Sequence, residues 1–199
     1  MHIVNSCLLI VLMLNMQSCH KKQTSKFIEK ISGDGTITFV DGSKQSLPTL
    51  ARTDTITTFF MVRHAEKQKG SNPDPELTPE GVQRAERLAK ILQDVPINMV
   101  AFTPYKRTAL TALPLMNIQG MSNATYTPEV QNSIIQDFVN EGRGGNFLVV
   151  GHQNTIPKLA NFMLGKPDLF KNFADDEYDN LLIISLRKTG DADVLALKY

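Results

Sequence analysis

Two histidines stand at equivalent places in this sequence. His64 closes the run Phe59-Phe60-Met61-Val62-Arg63-His64, and His152 closes Phe147-Leu148-Val149-Val150-Gly151-His152. If both apolar runs are strands of one parallel sheet, both imidazoles emerge at the same sheet edge, where sites of such folds collect. A lone histidine after a strand is as often structural as functional. Two in matching positions, one of them preceded by an arginine, form a constellation. A neutral imidazole is a competent nucleophile near neutral pH, because an unperturbed histidine titrates at about 6.5. An arginine fork donates charge-assisted hydrogen bonds to phosphate. Arg107 follows a third apolar run and Pro104, which brings it towards the same edge. Metal-assisted hydrolysis on His64 and His152 is a competing chemistry, but the chain has neither HxH nor HExxH spacing.

The elements that must position these groups alternate. Residues 57–62 (TTFFMV), 97–102 (INMVAF), 147–150 (FLVV), 181–186 (LLIISL) and 194–197 read as strands, with a short one at 124–126. The spacing predicts helices over 79–94, 104–117, 133–140 and 156–164. Thr78 serves as N-cap of the first, with Pro79 at its first position. Its apolar face is Val82, Ala85, Leu88, Ala89 and Leu92. Pro114 is expected to end or kink the second. The alternation argues for an α/β fold, a three-layer sandwich with a mostly parallel sheet flanked by helices. The last two strands lie close enough to pair as a hairpin, which makes one strand antiparallel. Before the domain at 56–199, residues 19–55 read as a tether and a small hairpin, with turns at Gly33-Asp34-Gly35 and Asp41-Gly42-Ser43.

Four segments carry a family resemblance. Arg63-His64-Ala65-Glu66 resembles the Arg-His-Gly motif of the histidine phosphatase superfamily, with Ala for Gly. Leu77-Thr78-Pro79-Glu80-Gly81-Val82-Gln83-Arg84-Ala85 is similar to its LTxxGxxQA segment, with Arg84 where Gln is common. The stretch from Phe102 to Ala112 is similar to its SSPxxRTxxTA segment, and Val149-Val150-Gly151-His152 to the segment with the second histidine. The four occur in the family's order over roughly residues 58 to 160. The resemblance implies a phosphoglycerate-mutase-like fold and a phosphatase that needs no cofactor. It implies His64 as nucleophile, with Arg63, Arg107 and His152 as the phosphate pocket, and hydrolysis through a phosphohistidine. The substrate is then a phosphorylated small molecule or protein.

Departures from the family refine this. Gln153 stands where the acid-phosphatase and phytase branch has the Asp that donates a proton, which places the chain in the mutase-like branch. The stretch from Arg107 to His152 is short for a mutase cap, which favours hydrolysis. Glu129, after the strand at 124–126, is the candidate general acid, with a helix-initiating role as its alternative. Asn154 and Thr155 are expected to cap a helix, and Asn154 is a candidate for lining the pocket. Tyr105 is expected to pack, and Glu66 with Lys67 to form a solvated pair. A catalytically silent module that holds phosphorylated ligands is the alternative function.

The composition fits one globular domain: 42% hydrophobic and 21% charged. A net charge of +1 leaves no footprint for nucleic acid. Residues 8–14 (LLIVLML) form an apolar run too short to span a bilayer, which takes about 20 residues. With Ser18-Cys19 and the polar stretch after it, this resembles a bacterial lipoprotein signal over residues 1–18. The expectation is export to the cell envelope with a lipid anchor on Cys19; an ordinary signal peptide or an unusual N-terminal helix is the alternative. Cys7 would leave with the signal, so no disulfide or cysteine metal site could form.

Overall fold

A computed structural model describes residues 26–47, 56–121, 123–141, 144–187 and 191–199. The signal segment at 1–18 and Cys19 lie outside the described residues. The element order begins with β1 (Ile28–Ile31), β2 (Thr36–Phe39), β3 (Lys44–Ser46) and β4 (Ile56–Arg63). It continues with α1 (Pro79–Leu92), β5 (Met99–Phe102), α2 (Lys106–Gln119), β6 (Asn123–Thr125) and α3 (Gln131–Glu141). It ends with β7 (Asn146–Gly151), α4 (Thr155–Met163), β8 (Asn180–Arg187) and β9 (Ala192–Lys198).

The main sheet has the order β6-β5-β7-β4-β8-β9. Strands β4 to β7 pair in parallel, whereas β8 runs antiparallel to β4 and to β9. The central strands β4 and β7 are buried almost throughout, as expected of parallel strands covered on both faces. Their side chains alternate between two cores. Phe60 and Val62 join Leu88, Leu92 and Leu115 of α1 and α2 on one face; Phe59 and Met61 join Ile135, Ile156 and Leu159 of α3 and α4 on the other. The result is a mixed, mostly parallel sheet between two helical layers.

Three local outcomes differ from the sequence expectation. The turns at 33–35 and 41–43 join three strands, not two, into an antiparallel sheet. Its Ile28, Ile31, Ile37 and Phe39 enter the same core as α1. Val82 is exposed, so the buried face of α1 begins at Gly81 and Ala85. Pro114 lies inside α2 without ending it. The helix runs on to Gln119, whose side chain accepts from Ile97 N and donates to Leu92 O, Gln93 O and Val95 O. Those bonds, with packing of α2 on α1, outweigh the local cost of the proline.

The start of α1 is built as its sequence suggests. Thr78 Oγ1 accepts from Gly81 N at 3.1 Å, with Pro79 at the first helical position. Gly81 is needed for a second reason. A Cβ there would stand 2.2 Å from the Glu66 carbonyl oxygen, so only glycine lets α1 lie against the loop that follows His64.

Candidate active site

Register brings the histidines together. Arg63 pairs with Gly151 across β4 and β7, and His64 N donates to Gly151 O at 2.9 Å. The two imidazoles leave the same sheet edge with ring centroids 5.4 Å apart, nearly edge to face. A Cβ on Gly151 would press within 3.0 Å of the Tyr126 hydroxyl and closer still to Thr155 Oγ1, so the residue before His152 must be small. Thr155 Oγ1 instead accepts from His152 N at 2.9 Å. Asn154, by contrast, makes no side-chain cap bond and is exposed beside His152.

His64 is 3% exposed. Its Nδ1 lies 2.7 Å from Ala65 O. A carbonyl only accepts, so the neutral ring carries its proton on Nδ1 and leaves the Nε2 lone pair free. Burial, above all, pushes the His64 pKa down to about 3; His152, Arg107 and Arg63 push the same way, against the Ala65 carbonyl. His152 is lowered to about 4, again by burial first and then by Arg107 and Arg63. Both rings are neutral at pH 7. The arginines contribute, but burial is the larger cause.

Arg63 and Arg107 flank this pair in parallel arrangements. The Arg63 guanidinium lies 3.9 Å from the centre of the Tyr178 ring, and Tyr178 lies 6.1 Å from His64. The Arg107 guanidinium lies 4.2 Å from the Tyr105 ring, and Tyr105 is edge-on to His152 at 5.4 Å. Arg63 Nη1 donates to the carbonyls of Ala174, Asp175 and Glu177. Arg107 Nη1 lies 3.8 Å from Asp74, whose Oδ1 also accepts from Lys106 N at the start of α2. The Nε–H of each arginine is buried with no protein partner. An unpartnered buried donor is costly, and each arginine keeps one donor that the protein itself does not use.

Glu129 does not join this group. It is exposed, and no contact among the described residues links it to His64 or His152. The Thr127 hydroxyl holds its carboxyl below the usual carboxylate range, so it holds a proton poorly at neutral pH. The physical reason is that β6 ends at Thr125, at an edge of the sheet, with β5 and β7 between it and β4. Glu66 is no solvated partner of Lys67 either. It takes three bonds of 2.7–2.9 Å from Arg84, whose Nη1 also reaches Tyr199 O. Arg84, where Gln was expected from the family pattern, thus has a partner in the residue next to Ala65. Tyr105 packs, as expected, but on site residues. Tyr178 and the carbonyls of 174–177 went unsignalled in the sequence; Thr103, in a segment already singled out, lies 2.9 Å from His152 Nε2. Among the described residues, no group of three or more His, Cys, Asp or Glu is placed to hold a metal ion.

Comparison with known proteins agrees with this fold. Residues 59–132 match the family model described as histidine phosphatase superfamily (branch 1). That stretch holds His64 and Arg107 but stops short of His152, which the sheet register supplies. No curated protein sequence matches. Several solved structures share the fold. The protein histidine phosphatase SixA complexed with tungstate aligns at a TM-score of 0.58 and 18% identity, over 71% of this chain and 96% of its own. The alpha-ribazole phosphatase from Shigella flexneri aligns at 0.60 and 16%, over 71% and 96%. The mycobacterial glucosyl-3-phosphoglycerate phosphatase with inorganic phosphate aligns at 0.61 and 13%, over 71% and 97%.

Proposed function

We propose that this chain, which carries a histidine phosphatase superfamily domain, hydrolyses phosphoric monoesters through a phosphohistidine on His64. One observation carries the reading: two neutral histidines 5.4 Å apart at adjacent strand ends, flanked by two arginines that each keep a buried, unpartnered Nε–H. Two structures that share this fold are complexes with tungstate and with inorganic phosphate, which supports an oxyanion as ligand.

Phosphoryl transfer asks the protein for positioning and for positive charge around the equatorial oxygens. His64 Nε2 attacks phosphorus as the ester oxygen leaves, and the Nδ1–H bond to Ala65 O holds the ring and shares the new charge. Arg63 and Arg107 meet the oxygens with donors already desolvated. The leaving oxygen takes its proton from His152 in its charged form or from water, since Glu129 is not placed to give one. Water then attacks the phosphohistidine, releasing phosphate and restoring neutral His64. The substrate is a phosphorylated small molecule or protein. The full chain should turn over a panel of aryl and alkyl phosphates with EDTA present. Phosphate binding without turnover of any ester points instead to a silent phospho-ligand-binding module. Activity that EDTA removes and zinc or magnesium restores sinks the metal-free mechanism.

The reading includes export and a lipid on Cys19, supported by the apolar run at 8–14 and the Ser18-Cys19 junction. The site would then meet phosphate esters outside the cytoplasm. In a bacterial host Cys19→Ser should block lipidation and leave the chain unprocessed or released. A mature protein that begins elsewhere and carries no lipid by mass spectrometry defeats this part.

A further inference from the structure

We propose that Thr103 and Thr108 form a one-way hydrogen-bond relay that fixes His152 with its proton on Nε2 and so prepares it to bind phosphate as an imidazolium. This rests on the phosphatase reading for its purpose, but not for its geometry.

The direction follows from counting protons. Both threonine side chains are fully buried. Thr108 Oγ1 lies 2.6 Å from Thr103 O and 2.8 Å from Tyr105 O. Carbonyls cannot donate, so the single Thr108 hydroxyl proton points to them. The 3.1 Å contact between the two threonine hydroxyls must then use the proton of Thr103. With that proton spent, Thr103 Oγ1 can only accept from His152, 2.9 Å away at Nε2. With the Thr108 proton shared between its two carbonyls every contact has a proton, whereas a Thr103 hydroxyl turned to His152 leaves the contact between the two hydroxyls with none.

The consequence lies at the other ring nitrogen. Neutral His152 in this tautomer has a bare lone pair on Nδ1, which repels a phosphate oxygen. When the ring gains a proton, Nδ1–H becomes a donor while Nε2–H keeps Thr103 as acceptor. Thr103 thus accepts from Nε2–H in the neutral and the charged ring alike, has no proton of its own to offer, and leaves Nδ1–H of the charged ring free to donate. The groups facing His152 are Arg63 at the end of β4, His64 just after it, Arg107 from α2, and Tyr105. No carboxylate is among them, so in the empty site the ring is neutral, and the charge must come with the dianion. Thr103 is therefore a positioning residue: it acts on phosphate through His152.

Imidazole nitrogen NMR of the full chain, labelled at histidine, tests this. Free protein at pH 7 should show His152 neutral with its proton on Nε2. Inorganic phosphate should convert it to the doubly protonated form. Thr103→Val should lower the His152 pKa in the phosphate complex and weaken phosphate binding at pH 7 about tenfold, as expected for a hydrogen bond to a charged group. Thr103→Ser should restore both. Thr108→Val frees the Thr103 proton and should let Nε2 accept, shifting the tautomer in the free protein. A wild-type ring protonated on Nδ1, or a Thr103→Val variant with unchanged tautomer and affinity, overturns the relay. A wild-type ring that shows the Nε2 proton in a protein that binds no phosphate overturns the phosphatase reading and leaves the relay standing.

Discussion

His64→Ala should leave no measurable phosphatase activity and no phosphate label on the protein. Brief exposure of the wild type to a good phosphoryl donor should give a label stable to base and lost in acid, the behaviour of a phosphoramidate. Losing a covalent nucleophile costs on the order of 10⁴-fold or more in turnover. Here water cannot readily stand in, because the attacking position is set by a buried ring held by the Ala65 carbonyl. His152→Ala should behave differently. Its ring packs on His64 and contacts Thr103 and Tyr105, but the His64 ring keeps its own bond to Ala65 O, so that variant should still label, though more slowly. Inorganic phosphate should still bind His64→Ala, since both arginines remain. A base-stable, acid-labile label in His64→Ala would falsify the nucleophile assignment.

The parts of the fold legible in the sequence were those set by local pattern. Strands β4 and β7 are continuous apolar runs, and α1 announces itself through Thr78, Pro79 and its Ala85, Leu88, Leu92 stripe. The strand β3 carried no such mark, because Lys44, Gln45 and Ser46 are all exposed and polar. Pro114 reads as an end or a kink because its cost is local, while the bonds made by Gln119 reach residues far away in sequence.

The site divides along the same line. His64, Arg63, Arg107 and His152 were legible because each closes or follows a recognisable strand, and strand ends in a parallel sheet share an edge. Tyr178 was not, because its contact with Arg63 depends on the path of the chain between α4 and β8, which has no periodicity to read. The carbonyls that hold Arg63 belong to residues more than a hundred positions away. Thr103 meets His152 only because β5 pairs with β7 in the register that sets Phe102 beside Val150. Glu129 shows the converse. A carboxylate after a strand looked suitable by position, but that strand is the sheet's outermost, and the side chain faces solvent.

Arg107→Ala should lower kcat/KM by about a thousandfold or more, the scale on which a single arginine assists phosphoryl transfer. The argument begins with its side chain, which is 14% exposed and keeps a buried Nε–H without a partner. That donor has no partner within the protein, so its loss falls on the bound and reacting states rather than on folding. The stability change should be small: Arg107 loses its 3.8 Å contact with Asp74 and its stacking on Tyr105, while Asp74 keeps its bond to Lys106 N. Arg107→Lys should recover little, because an ammonium cannot reproduce the planar fork. Free guanidinium ion should restore part of the activity of Arg107→Ala by occupying the vacated space, and should do nothing for His64→Ala. Vanadate inhibition should weaken along with kcat/KM, since vanadate presents equatorial oxygens to the same donors. An Arg107→Ala protein that folds normally and keeps wild-type kcat/KM and vanadate affinity removes Arg107 from the phosphate pocket.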